Sequence, residues 1–345
     1  MNHMLGAMIG DIMGSAYEAY EKNDQPIKLF EPALPQKPTD LIVFLSKRMN
    51  GRPSCTDDTI LTLAIARAVK NCEEKGITDF TACKKEFRYQ IITYYNRYQK
   101  KTRGWGGGFQ SWVKKGATKD NDSTANGSAM RISAIGWSYD TLEETLRMAK
   151  CSAIPTHNSE DGIMGAKAIA ATIYLARHGV EKDEIKAFFE ATSKESVEKY
   201  FADKTKAEIF GYKFPQKQTP YHTINPIKIK NIRHIKNIRH ITKDYMVLNA
   251  NESAQIALRI LFETNSYESA VRKAIAIGGD TDTHACLVGA MAEALYQKDD
   301  KHNIPKEWIR KAWKALDRLG EGIAEWRDDK ELIQWFEEKK AGTIQ

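Results

Sequence analysis

Residues 277–283 of this 345-residue chain read Ile-Gly-Gly-Asp-Thr-Asp-Thr, and an apolar, alanine-rich run follows from Ala285 to Tyr296. A glycine turn and then acids before an apolar run is the order typical of the start of a buried helix. Helix capping explains one acidic residue there, but it does not explain two carboxylates and a following hydroxyl. We therefore interpret Asp280, Asp282 and Thr283 as candidate functional residues.

A second stretch of the same design lies far upstream. Residues 54–59 read Ser-Cys-Thr-Asp-Asp-Thr, and the apolar run from Ile60 to Val69 follows them. This pattern predicts a second buried helix with Asp57 and Asp58 at its N-terminal end. If folding brings the two helix starts together, four carboxylates converge, and cations are needed to offset their repulsion. All candidate ligands are hard oxygens, which favours Mg²⁺ or Mn²⁺ over zinc.

The N-terminal segment from Leu5 to Glu18 is predicted to be a helix that packs closely against a neighbour. Three glycines recur every fourth residue and so line one face, where another backbone or a ligand can approach: Gly6, Gly10 and Gly14. Asp11 and Glu18 lie seven residues apart, on one side of this apolar element. We interpret Asp11 as a buried polar group satisfied by helix packing, and Glu18 as a further candidate ligand.

Three loops between these helices are candidates for a substrate site. The small, polar residues of the 120–131 loop could hold phosphates at a helix start, although such loops are commoner than phosphate sites. His157 precedes a predicted buried helix from Gly162 to Ala176, where it would stay neutral and hydrogen bond a ligand hydroxyl or serve structure alone. The glycine-rich loop 103–109 is either a flexible turn or the border of a cleft.

The rest of the chain predicts an all-α fold. Amphipathic helices are expected over residues 79–99, 252–262, 267–277 and 305–340, and no run of alternating strands is convincing. The proline-rich residues 24–53 are predicted to form a surface loop. We expect one domain over residues 1–345, with a basic insertion at about 213–243.

Charge and cysteine content limit which kinds of partner and which cellular compartment we expect. The net charge of +7 comes from residues 213–243, which hold six lysines, two arginines and no acid, so the remainder is nearly neutral. A six-residue unit, Lys-Asn-Ile-Arg-His-Ile, repeats within this segment at 230–235 and 236–241. Nucleic-acid binding would rest on this segment alone, and we interpret it as a solvated insertion. No apolar run approaches the roughly 18 residues of a membrane span, and five cysteines without a C-x-x-C pair favour the cytoplasm.

Five motifs in one order give the chain a specific family resemblance. They are Gly-Asp-x-x-Gly-x-x-x-Glu at 10–18, Thr-Asp-Asp-Thr at 56–59, Asn-Gly-Ser-Ala-Met-Arg at 126–131, Thr-His-Asn at 156–158 and Gly-Gly-Asp-Thr-Asp-Thr at 278–283. In this order they resemble the ADP-ribosylglycohydrolase family, which includes the dinitrogenase reductase-activating glycohydrolase and ADP-ribosylarginine hydrolases. Each motif alone is weak, whereas five in order are highly specific.

The resemblance implies an all-α domain with a binuclear Mg²⁺ or Mn²⁺ site. The implied metal ligands are Thr56, Asp57, Asp58, Asp280, Asp282 and Thr283. Glu18 matches an acidic residue that lies at the metals or gates the cleft in relatives. The implied substrate-binding residues are Ser123, Asn126, Gly127 and Ser128 for the phosphates and His157 near the adenosine. This chain has Ala125 where many relatives have glycine, which matters if that position requires positive φ.

The implied reaction is metal-dependent hydrolysis of an N- or O-glycosidic bond between ADP-ribose and an acceptor. The acceptor would be a protein side chain such as arginine, or part of a small ADP-ribose derivative. Asp57 or Asp58 would take a proton from water, and nearby carboxylates, Glu18 among them, would stabilise an oxocarbenium-like transition state. The alternative is a non-catalytic ADP-ribose or nucleotide binder on the same fold. Two other classes of all-α metal enzyme are excluded. A metal phosphohydrolase of the His-Asp type requires a His-Asp dipeptide and an isoprenoid synthase requires Asp-Asp-x-x-Asp, and the chain has neither.

Overall fold

The structure is a computed structural model that describes residues 4–18, 53–190 and 247–341. Over these ranges it contains thirteen α-helices and one 3₁₀ helix, and its only β pairs are isolated bridges. The α-helices, in chain order, are α1 (Leu5–Gly14), α2 (Asp57–Glu74), α3 (Phe80–Tyr98), α4 (Gly107–Lys114), α5 (Ser133–Ser138), α6 (Leu142–Ala153), α7 (Glu160–Arg177), α8 (Lys182–Glu190), α9 (Ala250–Phe262), α10 (Tyr267–Ala276), α11 (Thr281–Leu295), α12 (Lys306–Gly320) and α13 (Trp326–Ala341). The all-α prediction is confirmed.

Helices α1 and α11 form the buried centre. Every residue of α1 is buried, and so is every residue of α11 except Leu295. The two helices run antiparallel with the glycine face of α1 against the backbone of α11. A Cβ atom on Gly10 would lie 2.0 Å from the Ala285 carbonyl oxygen, and one on Gly14 would lie 2.2 Å from that of Thr281. The predicted close approach of another backbone is therefore confirmed.

Helix α1 is shorter than the sequence predicts. A single helix was expected from Leu5 to Glu18, but α1 ends at Gly14 and residues 15–18 form a turn. The Thr281 hydroxyl donates a hydrogen bond to the Gly14 carbonyl at 2.8 Å. The Tyr17 N–H of the turn donates to the same carbonyl at 2.8 Å, in place of the bond from residue 18 that a longer α-helix would make. The early end leaves Glu18 in the lining of the same cleft as Asp57.

The remaining helices surround this pair and share its hydrophobic core. Helix α7 packs against α5, α6, α9 and α11, while α2 packs against α1 and α3. One cluster of buried apolar side chains extends from Met4 in the first described segment to Phe336 in α13. The helices predicted over 79–99, 252–262, 267–277 and 305–340 are confirmed as α3, α9, α10 and the pair α12 and α13. None of the described helices is long and apolar enough to cross a membrane.

Helix α13 is tied to α3 by a buried carboxylate. Asp329 accepts hydrogen bonds from the hydroxyls of Tyr94 at 2.5 Å and Tyr98 at 2.6 Å. Arg97 donates to the same carboxylate at 3.1 Å, which balances its charge. The C-terminal helix is thus held by a fully bonded acid.

Two sequence predictions fall outside the described ranges. The proline-rich loop over residues 24–53 does so except for its last residue, and the basic insertion at about 213–243 does so entirely. The single-domain organisation of residues 1–345 therefore stays a prediction.

We expect Gly10→Ala to destabilise the protein strongly, because a Cβ atom 2.0 Å from the Ala285 carbonyl oxygen forces α1 and α11 apart. The loss in free energy of unfolding should reach about 3 kcal/mol, the upper end of typical overpacking costs. Urea denaturation measures it. Gly107→Ala is the matched control, because a Cβ atom there meets nothing within 4 Å and alanine favours a helix by about 1 kcal/mol. Equal stability of the two variants would contradict this account of the helix contact.

Candidate active site

The contact between α1 and α11 brings acidic side chains from three parts of the chain together. Asp11, Asp58 and Asp282 form one group whose carboxylate oxygens lie within 4.8 Å of one another. Glu18, Asp280 and Asp282 form a second such group. Asp282 belongs to both groups, so the two share an edge. The predicted convergence of the two acidic helix starts is confirmed.

Asp11 joins α1 to the start of α2. Its carboxylate accepts hydrogen bonds from the backbone N–H and the hydroxyl of Thr56 at 3.0 and 2.8 Å. It also accepts from the N–H and the hydroxyl of Thr59 at 3.1 and 2.5 Å. Asp11 is therefore a satisfied buried group, as interpreted from the sequence. It is also a member of the first carboxylate group, which the sequence interpretation missed, although its seven-residue spacing from Glu18 was the available signal.

The start of α2 presents three of the predicted metal ligands. Thr56 is the N-cap of α2, and its hydroxyl oxygen accepts a hydrogen bond from the Asp58 N–H at 3.2 Å. The Asp57 N–H donates to the Arg103 carbonyl at 3.0 Å, which holds the glycine-rich loop against α2. Gly104 follows with φ of 95°, and a Cβ atom there would lie 1.9 Å from Asp57 Oδ1. Only glycine fits beside that carboxylate.

The start of α11 presents the other three predicted metal ligands, Asp280, Asp282 and Thr283. Gly278 and Gly279 adopt φ of 78° and 77°, a left-handed turn that explains why the motif begins with two glycines. Asp280 accepts a hydrogen bond from the side-chain amide of Asn126 at 2.5 Å. Asp280, Asp282 and Thr283 all line the cleft.

The cluster is electrostatically costly without a cation. Burial raises the pKa of Asp11 to about 7, and the charge of Asp282 adds to the shift. The same two causes, in the same order, raise the pKa values of four other carboxyls well above their usual range: Glu18, Asp57, Asp58 and Asp280. Ionising several of these groups together is therefore unfavourable in the protein alone.

The donor set fits a divalent cation. Asp58 Oδ1 and Glu18 Oε2 are buried and have no hydrogen-bond partner among the described residues. A buried carboxylate oxygen without a partner carries a large desolvation cost. A hard cation would supply the missing partner and offset the repulsion, and carboxylate and hydroxyl oxygens are the ligands such ions prefer. The acidic cluster can thus hold metal.

The cleft above the cluster has a volume of about 640 Å³ and two unlike walls. One wall is the glycine-rich loop 103–109, where the rings of Trp105 and Phe109 stack with centroids 5.8 Å apart. Tyr95 packs edge-on against both rings from behind. The prediction that this loop borders a cleft is confirmed.

The other wall contains four of the five predicted substrate-binding residues: Ser123, Asn126, Gly127 and His157. Isolated bridges from Asp122 to His157 and from Ala125 to Asn249 join the loop to its neighbours. Ala125 has φ of −68°, so alanine is unstrained where many relatives have glycine. The side-chain amide of Asn126, which is predicted to bind the phosphates, donates a hydrogen bond to Asp280.

Ser128 lies outside the cleft lining, unlike the other four predicted substrate-binding residues. Its hydroxyl donates to the Gly162 carbonyl at 2.7 Å, its side chain is fully buried, and it is absent from the cleft lining. In this loop the serine that follows Gly127 joins the 3₁₀ helix, Asn126–Ser128, to α7. The buried position of Ser128 against α7 supports a packing role. The sequence alone does not show which hydroxyls of the loop point away from the cleft.

Comparison with known proteins places this fold and cleft in a class of glycosidic-bond hydrolases. The family model for ADP-ribosylglycohydrolase matches residues 1–336. The chain belongs to the ADP-ribosylglycohydrolase family, so the family, the enzyme class and hydrolysis at ADP-ribose are confirmed.

Relatives and a solved structure agree with this assignment. Human ADP-ribosylhydrolase ARH3 is 24% identical over 346 residues, covering 88% of this chain and 86% of the relative. The Xenopus tropicalis protein of the same name is 25% identical, covering 88% of each chain. A structure described as an ADP-ribosylglycohydrolase-related protein complex shares the fold, with a TM-score of 0.60 at 18% identity, over 97% of this chain and 95% of that one.

The raised carboxyl pKa values predict how stability depends on pH. An unfolded aspartic acid loses its proton near pH 3.8, whereas folded Asp11 keeps it to about pH 7. The folded state binds more protons in this window, so each such group makes the metal-free protein less stable as the pH rises through it. Asp282→Asn removes the charge that raises the neighbouring pKa values. We therefore expect the variant to gain stability over wild type on going from pH 5 to pH 8 in chelator.

Thermal unfolding of both proteins at the two pH values measures this difference, and groups whose pKa is the same in both proteins cancel. Mn²⁺ or Mg²⁺ at pH 8 should then raise the Tm of wild type by several degrees, roughly what 1–2 kcal/mol produces in a chain of this size. The variant should respond less. A Tm difference that is independent of pH and of metal would refute the electrostatic account.

Proposed function

We propose that this protein hydrolyses the bond between C1 of the distal ribose of ADP-ribose and the acceptor atom. The bond would be N- or O-glycosidic, in an ADP-ribosylated protein side chain such as arginine or in a small ADP-ribose derivative. The observation that carries the proposal is the pair of carboxylate groups sharing Asp282 at the base of the cleft. Ser123, Asn126 and Gly127 line the same cleft and would take the phosphates of the ADP half of such a substrate.

The proposal includes two divalent cations, Mg²⁺ or Mn²⁺. Two acid groups with one common member support two ions rather than one. The residues that would hold them are Thr56, Asp57, Asp58, Asp280, Asp282 and Thr283, and Glu18 is the third member of the second group. When bound, such ions orient substrate hydroxyls and generate a nucleophile from water near neutral pH.

The chain's own residues supply the remaining chemistry. Asp57 or Asp58 would accept the proton of the attacking water, since both are buried at the cleft base. Glu18 would stabilise positive charge as it develops at C1. Asn126 would hold the Asp280 carboxylate in place through its amide hydrogen bond. The acceptor would face the aromatic rings of Trp105 and Phe109, while the loop that contains Ser123, Asn126 and Gly127 would take the diphosphate.

We also propose a cytoplasmic location. The five cysteines are buried free thiols, which supports a reducing compartment. Neither a membrane nor a nucleic acid is part of the proposal, and the role of the basic insertion at about 213–243 stays a prediction.

The experiment is release of free ADP-ribose from ADP-ribosyl-arginine and ADP-ribosyl-serine peptides, with Mg²⁺, with Mn²⁺ and with chelator. We expect chelator to abolish release, because it removes the cations that the carboxylates would hold. Asp58→Asn should lower turnover by at least about 100-fold, the upper range for groups that support a metal ligand. Asp328→Asn is the control, since Asp328 is an exposed acid on α13, and it should leave turnover unchanged.

Two outcomes would contradict the proposal. Full turnover in Asp58→Asn would remove the acidic cluster from the mechanism. Metal-dependent binding of ADP-ribose without release from either peptide or from a small ADP-ribose ester would favour the non-catalytic binder.

A further inference from the structure

We propose that Arg131 and Thr156 are positioning residues that fix the tautomer of His157. The ring would carry its proton on Nε2, as a hydrogen-bond donor aimed into the cleft. The inference rests on the proposed function, because it assigns this donor to an oxygen of the ADP-ribose half of the substrate. Arg131 was not among the residues singled out from the sequence, where it is the last residue of the Asn126–Arg131 motif.

Arg131, Thr156 and His157 form a chain of hydrogen-bond contacts, which we call the relay. It begins at Arg131, which is fully buried. Its Nη2 atom donates to the Ser152 carbonyl at 3.0 Å and to the Thr156 hydroxyl at 2.7 Å. A guanidinium has donors only and keeps its charge in proteins. Thr156 Oγ1 must therefore accept in this contact, and the direction of the relay is set.

The Thr156 hydroxyl then has one proton to donate. Its oxygen lies 2.7 Å from His157 Nδ1. Among the described residues, Nδ1 is the one atom recorded in position to accept that proton. Nδ1 must then present its lone pair. Burial and the charge of Arg131 both lower the pKa of His157, so the ring is neutral and its single proton sits on Nε2.

The Nε2 edge of His157 lies against Gly127 of the 120–131 loop. A Cβ atom on Gly127 would lie 3.0 Å from His157 Cε1 and 3.1 Å from Nε2, so glycine keeps this edge open. Both residues line the cleft, and Nε2 has no hydrogen-bond partner in the described part of the chain. The bridge between Asp122 and His157 fixes the backbone behind the ring.

The fixed tautomer suits a ligand group that can accept a hydrogen bond but cannot donate one. A diphosphate oxygen has lone pairs and no proton, so Nε2–H bonds it, whereas the opposite tautomer would place two lone pairs against each other. Without the hydroxyl of Thr156, both tautomers of a neutral imidazole become accessible. The relay thus removes a competing form of His157 before substrate arrives, which lowers the cost of binding.

The first test observes the tautomer directly. Long-range ¹H–¹⁵N correlation spectra of the wild-type imidazoles distinguish a protonated from an unprotonated ring nitrogen, and His157→Gln assigns the signals among the eight histidines. We expect wild-type His157 to be protonated on Nε2 alone and Thr156→Val to show a mixture. A wild-type ring protonated on Nδ1 would overturn the proposal.

The second test measures binding in a matched pair. Thr156→Ser keeps the hydroxyl, and Thr156→Val keeps the shape without it. We expect Thr156→Val to weaken ADP-ribose binding about fivefold in calorimetry, the loss of one net hydrogen bond, and to raise KM with kcat unchanged. Thr156→Ser should stay within about twofold of wild type, well below the worth of one hydrogen bond. Thermal unfolding identifies variants that fold poorly.

Equal losses in the valine and serine variants, or no loss with valine, would overturn the relay. Failure of the proposed function is distinguishable from this. A wild-type protein that shows the Nε2 tautomer and binds ADP-ribose, yet releases none from any substrate, would contradict hydrolysis and leave the relay standing.

Discussion

The whole arrangement depends on the backbone contact between α1 and α11. Gly6, Gly10 and Gly14 let the two buried helices approach to a separation at which any side chain would overlap a carbonyl of α11. This contact places Asp11 and Glu18 beside Asp282, and Asp11 in turn holds the first residues of α2 through four hydrogen bonds. One steric condition therefore gathers acids from three distant parts of the sequence.

The gathered acids oppose folding, and the protein offsets part of this cost with hydrogen bonds and with the partial charges of two helix starts. Hydrogen bonds from the Thr56 and Thr59 backbone and hydroxyls satisfy Asp11, and Asn126 satisfies part of Asp280. Asp58 and Glu18 each keep a buried oxygen without a partner among the described residues, which is unfavourable unless a cation occupies the site. Both helix starts add partial positive charge, but a helix terminus contributes only about half a charge. The site can therefore hold a metal ion, which would offset this cost.

The two walls of the cleft differ in chemistry, since one carries hydrogen-bonding side chains and the other carries stacked aromatic rings. On one wall the buried Arg131 guanidinium, the Thr156 hydroxyl and the His157 imidazole lie in a chain of hydrogen-bond contacts. On the other wall Trp105 and Phe109 present aromatic faces on a loop that Asp57 holds through the Arg103 carbonyl. A polar wall is specific for acceptor atoms, whereas an aromatic wall tolerates varied groups. The cleft therefore offers both hydrogen-bonding side chains and apolar ring faces.

Sequence patterns alone determined the all-α class, the glycine face of α1 and the acidic starts of α2 and α11, because helix periodicity, capping and turn glycines are local properties. The ordered motifs also indicated the family. Only the tertiary structure showed that Asp11 belongs with Asp58 and Asp282, that Ser128 faces α7, that Asn126 reaches Asp280, and that Arg131 lies behind His157. Each of these facts joins residues far apart in the chain or depends on which way a side chain points. Such contacts arise when buried helices pack, and no local pattern specifies them.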